Sequence, residues 1–144
     1  MNVTVLLADH AQSGLGGKMN ALGVGWARTG TPLGSHSVIL FAEVDESEVE
    51  VCHRLTLRLV DEAGNPVSDP SGGPIEAEAD LVVNDTFGVA GIAVNIGAGL
   101  PLEPGVYAWE VLTSASADLV GKRRFLVVEG AVTPPTAEPS AKQA

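Results

Sequence analysis

The sequence predicts an all-β fold: an antiparallel β-sandwich of about eight strands, immunoglobulin-like or jelly-roll-like, with an extended C-terminal arm. Three observations carry this. Valine (19) and glycine (17) together supply a quarter of the 144 residues, a bias toward β-branched strand residues and turns. Two stretches, 53–60 and 75–81, alternate apolar and polar residues with a period of two, as half-buried strands do. No long amphipathic helix is visible, and the connections are too rich in Gly and Pro for the crossover helices of a parallel α/β fold.

The elements follow in order. Asn2–Ala8 alternates and stops at Asp9, which makes it a first strand; it lacks the basic start and long apolar run of a signal peptide. Residues 12–17 form a glycine-rich turn. Lys18–Trp26 reads as a strand punctuated by Gly23 and Gly25, glycines that mark a bulge or a close backbone approach. Residues 27–35, with Gly30, Pro32 and Gly34, read as a loop, and Ser37–Val44 as a strongly apolar strand. A short helical turn is expected within Asp45–Glu50. In His53–Val60, Leu55, Leu57 and Leu59 share one face while Arg54, Thr56 and Arg58 share the other. The turn Asp61–Pro66 has Gly64 or Asn65 for a positive φ. A loop over 68–74 leads to Ile75–Leu81, whose Glu76, Glu78 and Asp80 face outward and are expected to pair with Arg54 and Arg58 across strands. Gly91–Ile96, Val106–Leu112 and Leu119–Val128 complete the domain, with Tyr107, Trp109 and Val111 on one core-facing side.

The domain boundary falls at residue 129. Residues 130–144 contain Pro134, Pro135 and Pro139, no aromatic residue and one large aliphatic residue, Val132. Such a segment does not bury enough surface to order itself, and its prolines favour an extended arm with a reach on the order of 45 Å.

Composition excludes several functions. With 8 Lys+Arg against 18 Asp+Glu, the net charge of −10 argues against nucleic acid as a partner. No apolar run is long enough for a membrane helix. One cysteine, Cys52, excludes an internal disulfide framework and multi-cysteine zinc sites; it is expected to be a buried, inert thiol.

Neither catalytic nor metal-ligating residues are expected, and no cofactor. His10, His36 and His53 form none of the HxH, HxxxH or HExxH spacings that bring two imidazoles together on one element. Asp9 and His10 are expected to fix a turn through side-chain to backbone hydrogen bonds. Residues 13–18 are glycine-rich and end in Lys18, but the P-loop spacing is missing and Met19 stands where a hydroxyl residue is needed. Glu43, Asp45, Glu46, Glu48 and Glu50 place five acids in eight residues with no glycine to turn a calcium loop. Lys122, Arg123 and Arg124 gather three of the eight basic residues. That cluster suits either a charge-protected edge strand or a contact with the acidic patch of an adjacent copy, head to tail.

Two further stretches carry a resemblance. One is the opening Asn2–Ala11, with Gly17-Lys18 and Leu22–Trp26. The other is Leu57–Val67, with Asn95-Ile96-Gly97 and the Leu102-Glu103-Pro104-Gly105-Val106-Tyr107 lead-in to a late strand. Over residues 2–128 the chain resembles an uncharacterised family of small actinobacterial and phage-borne β-sandwich proteins. That resemblance implies the fold and a phage or actinobacterial setting; it implies no activity and no catalytic residues.

The expected function is therefore non-enzymatic: a structural protein of a larger assembly, with a phage capsid decoration or cement protein as the favoured form. Its partners would be proteins (self-association or capsid subunits), not nucleic acid or membrane. Lys122, Arg123, Arg124, Glu46, Glu48, Pro134, Pro135 and Pro139 are the candidate contact residues, and the location would be the virion or otherwise the cytoplasm. The alternative is a cytoplasmic module that binds a small ligand or protein, with Trp26, His10 and His36 lining a pocket.

Overall fold

The computed structural model describes residues 1–14, 18–85 and 87–130. Among these the chain is all-β, and no helix is long and apolar enough to cross a membrane. Its strands are β1 (Asn2–Ala8), β2 (His10–Ser13), β3 (Met19–Leu22), β4 (Arg28–Thr29), β5 (His36–Glu43), β6 (His53–Asp61), β7 (Glu76–Leu81), β8 (Ala90–Ile96), β9 (Gly105–Thr113) and β10 (Leu119–Val127). They form a three-stranded sheet β1-β5-β8, a five-stranded sheet β4-β10-β9-β6-β7 and a two-stranded hairpin β2-β3. All pairings are antiparallel except the short β4–β10 contact, which is parallel.

One core joins the two larger sheets. Val3, Val5 and Leu7 of β1 and Val38, Leu40 and Ala42 of β5 are buried in one cluster with Leu55, Leu57 and Leu59 of β6, Trp109 and Val111 of β9, and Phe125 and Val127 of β10. Every second residue points into it, as strand geometry requires. The β2-β3 hairpin contributes a second, smaller cluster. Ala11, Met19 and Ala21 pack with Leu6, Ala8, Ile39, Phe41 and Ala93, covering the other side of β1, β5 and β8. That explains why β5 is buried on both faces, and why it reads as a continuous apolar run rather than an alternating one.

The structure changes several expectations. It has ten strands among the described residues where about eight were expected, because β2 and the two-residue β4 carry too little period to be read. The expected strand 18–26 is only Met19–Leu22. Gly23 and Gly25 turn instead, with φ of +64° and +98°. A Cβ on Gly23 would run into the Asp9 carboxylate. Among the described residues the turn at Asp9-His10 is held by backbone bonds (Asp9 N to Leu22 O, 3.0 Å; Gly25 N to Leu7 O, 2.7 Å) rather than by the expected side-chain bonds. Cys52 is exposed, not buried, since it ends the link between β5 and β6 and precedes the first core residue of β6, Leu55. The helical turn is present as Glu46–Glu48.

Where β1 meets β10 the two sheets close on each other. A Cβ on Gly121 would lie 2.5 Å from the Val3 carbonyl oxygen. Two residues on, Arg123 Nε donates to the Val5 carbonyl at 3.0 Å. Gly121 provides the space, and Arg123 satisfies an acceptor that the outer border of β1 would otherwise leave free. At the other end of β10, Val128 N donates to Thr29 O (2.9 Å) and Thr31 N to Gly130 O (3.3 Å). Pro134, Pro135 and Pro139 lie outside the described residues.

Candidate functional site

The charged side chains sort into three groups. On the outer face of the five-stranded sheet the register places Lys122, Glu110, Arg58 and Glu76 side by side on β10, β9, β6 and β7. Glu110, mostly buried, takes Arg58 (3.1 Å) and Lys122 (3.8 Å). Arg58 turns to Glu110 rather than to the expected Glu76, because the more buried carboxylate depends more on a cation. Arg54 meets Asp80 (2.9 Å) and Glu78 (3.6 Å), as expected from the alternation. Its hydrogen bonds hold the Asp80 carboxyl below its ordinary range. These pairs are exposed, and they fix register more than they stabilise.

Of the basic triplet, then, Arg123 is spent on β1 and Lys122 on Glu110. Arg124 stays exposed beside a groove of about 310 Å³ lined also by Asp61, Glu62, Tyr107 and Lys122. Among the described residues no ion pair joins the triplet to the acidic segment 43–50.

The histidines do not converge. His36 is buried beneath two tryptophans. Its Nε2 accepts from Trp109 Nε1 (3.2 Å), so Nδ1 carries the proton and donates to Gly34 O (2.9 Å). Trp26 stacks edge-on over the same ring at 5.3 Å and over Phe125 at 5.8 Å. Its own Nε1 is buried with no acceptor among the described residues. Burial pushes the His36 pKa below 6.5. Histidine NMR should show a neutral Nδ1–H ring persisting below pH 6.5, and stability should decline as pH falls below that value, where the unfolded chain takes up the proton first. A His36 ring fully protonated at pH 6.5 would contradict this arrangement. His53 Nε2 donates to Glu48 O (2.9 Å), and His10 lines a separate groove on the hairpin with Gln12, Asn20 and Leu22. Trp26 and His36 therefore meet, but His10 does not join them. No three His, Cys, Asp or Glu residues among those described are placed to hold a metal ion.

The remaining group is the end of the fold where β5 passes to β6 and β7 to β8. Glu48 organises it: it receives the N-terminal amine of Met1 (3.3 Å) and the backbone N–H of Asp45 (3.1 Å). These contacts, the Asp45 backbone first, hold its carboxyl below the usual value. Glu50, at φ +62°, donates its N–H to Val83 O at 2.9 Å and ties the two connections together. In the second connection Asp85 Oδ1 accepts the Phe87 N–H (2.8 Å) and Asp85 O accepts the Gly88 N–H (2.9 Å). The turn presents the Phe87 ring outward, 97% exposed.

Phe87 has company. Of the seven large hydrophobic residues exposed among those described, Val51, Val82, Phe87 and Val89 lie on these two connections; Leu22, Val24 and Leu119 lie elsewhere. Asp45, Glu46, Glu50 and Asp85 are exposed on the same connections. Expected contact residue Glu46 is among them, while Glu48 is occupied internally. Sequence reasoning passed over Phe87, although a lone aromatic between Asn84-Asp85 and Gly88 was a signal: turn-forming residues on both sides leave it no core to enter.

None of the curated proteins matches the chain. A family model matches residues 3–116, from β1 through the end of β9, somewhat short of the 2–128 expected from the resemblance. The chain belongs to the family that this model describes, the Family of unknown function (DUF6941).

Proposed function

We propose that this protein is a non-enzymatic structural module of a larger protein assembly, docking through the end that carries Phe87, with a phage capsid as the assembly it decorates or cements. The observation that carries the reading is that four exposed hydrophobic residues, Phe87 the most exposed, lie on the two connections at one end, with exposed carboxylates on the same connections. Water-exposed apolar clusters of this kind mark interaction sites, and a projecting aromatic is a common anchor for a partner's pocket. Those carboxylates favour a partner whose apolar pocket is flanked by Lys or Arg. The phage setting rests on the family resemblance alone, and the location follows it: the virion, or the cytoplasm for a bacterial source.

The scaffold is read as an antiparallel β-sandwich, with the hairpin as an added layer. Support comes from the core shared by the two larger sheets. The immunoglobulin-like form draws support from Tyr107, whose hydroxyl donates to Glu103 O at 2.7 Å just before β9. That bond resembles the tyrosine corner of such domains.

Capsid subunits encoded beside this gene, co-expressed with the protein, test the reading. The wild-type chain should sediment with assembled particles. Phe87→Asp should reduce incorporation by about tenfold or more and leave the unfolding curve within about 0.5 kcal/mol, since the ring is exposed. Equal incorporation of the variant would remove Phe87 from the docking site. A second reading, a ligand-binding module, draws on the groove of Asp61, Glu62, Tyr107, Lys122 and Arg124. A small molecule that raises Tm through that groove, in a chain that joins no particle, would favour it.

A further inference from the structure

We propose that β8 is an open strand edge that pairs with the β8 of a second copy, joining two three-stranded sheets into one of six. Its sequence, Ala90-Gly91-Ile92-Ala93-Val94-Asn95-Ile96, holds no charge and no proline. Among the described residues β8 hydrogen-bonds in register with β5 alone; β7 and the hairpin lie near it without pairing, so its other border keeps backbone donors and acceptors without a strand partner. Six of its seven residues are half-buried and Asn95 is exposed, whereas β5 beside it is almost fully buried.

The other borders of the two larger sheets are closed or charged. β7 carries Glu76, Glu78 and Asp80. The free part of β10 carries Lys122, Arg123 and Arg124, and Arg123 with Gly121 seals β1. Natural sheets protect their borders with such charges and covers. The uncharged β8 is the exception, and an unprotected strand of this kind is the template for strand addition.

The occupant follows from charge and register. In a chain of net charge −10, two copies repel least where they meet through an uncharged strand. An antiparallel β8 pair centred on Ala93 sets Ile92 against the partner copy's Val94, and Ala90 against its Ile96. Ala90, Ile92, Val94 and Ile96 already pack against the main core from its rim, so pairing extends that core across the two-fold axis. The contact is self-complementary and closes as a dimer. It is independent of the Phe87 end, which is tested by particle incorporation rather than by the mass of the purified chain.

Sedimentation of the full chain at rising concentration should show a dimer. Ile92→Lys, which points a charge into the joined sheet, should weaken dimerisation at least about tenfold. Because that variant also touches the core rim, Ala93→Cys in a Cys52→Ser background provides a second readout. Mild oxidation should crosslink it between copies at the two-fold, faster than a Ser71→Cys control in the exposed 68–74 loop. A chain that stays monomeric, a dimer indifferent to Ile92→Lys, or crosslinking no faster than the control would each overturn the proposal. So would a monomer that takes up an unrelated extended peptide along β8 instead.

Discussion

Trp109→Ala should cost about 3–5 kcal/mol of folding stability, the range for removing a large aromatic from a packed core. A domain of this size has about 5–15 kcal/mol in total, so the variant should be barely folded at room temperature. Two effects add. Trp109 is only 1% exposed and sits where β9, the middle strand of the five-stranded sheet, faces β1 and β5, so its loss opens a cavity that neighbours on two sheets must collapse to fill. It also donates Nε1–H to His36 Nε2, and truncation leaves a buried imidazole nitrogen without its donor. Trp109→Phe separates the two, since it keeps most of the ring volume and loses the donor. It should cost less than the alanine variant but more than a volume-matched apolar exchange. Urea unfolding followed by far-UV circular dichroism measures both, independently of the fluorescence of Trp26. A loss below about 1 kcal/mol for the alanine variant, the size of an average surface or peripheral change, would mean that the core is not centred on this ring.

Trp109 was legible in the sequence, and the reason is physical. The motif Leu102-Glu103-Pro104-Gly105-Val106-Tyr107 sets the chain into a strand, and strand geometry then places Tyr107, Trp109 and Val111 on one side. Leu55, Leu57 and Leu59 were legible for the same reason, as were the outward Glu76, Glu78 and Asp80. What escaped has no period to betray it. β4 is two residues long, and β2-β3 covers β5 with alanines and a methionine, side chains whose apolar signal is weak or common in loops. Partner choice escaped as well: Arg58 selects Glu110 over Glu76 by relative burial, and burial is set by sheet order, which one strand does not encode. Lys122, Arg123 and Arg124 read as one basic patch, yet alternation sends Arg123 to the opposite side of β10 from its neighbours. The candidate docking end is the least legible part. It is assembled from connections at 44–52 and 82–89 that come together only when β5, β6, β7 and β8 are in place.

Gly121 shows how such a long-range requirement is hidden in a single residue. Gly121→Ala should destabilise the fold by about 1–3 kcal/mol, the usual cost of overpacking, and Gly121→Val by more. Within a strand, alanine for glycine ordinarily helps, because glycine costs folding entropy; here the sign reverses. The added Cβ would meet the Val3 carbonyl oxygen at 2.5 Å and the Val3 Cβ and Val5 Cγ2 at 3.1 Å. The first of these is backbone, which no rotamer change moves aside. β1 must therefore withdraw from β10, and Arg123 Nε then loses its 3.0 Å bond to Val5 O. The damage should thus be local to one seam: amide exchange in β1 should accelerate more than in β6 or β9. Arg123→Met, which keeps the length of the side chain and removes the donor, should loosen the same strand by a smaller amount, about 1 kcal/mol or more for a lost bond from a charged donor. If Gly121→Ala is neutral or stabilising, the close approach of β1 to β10 is wrong. In that case β1 would present a second uncharged border.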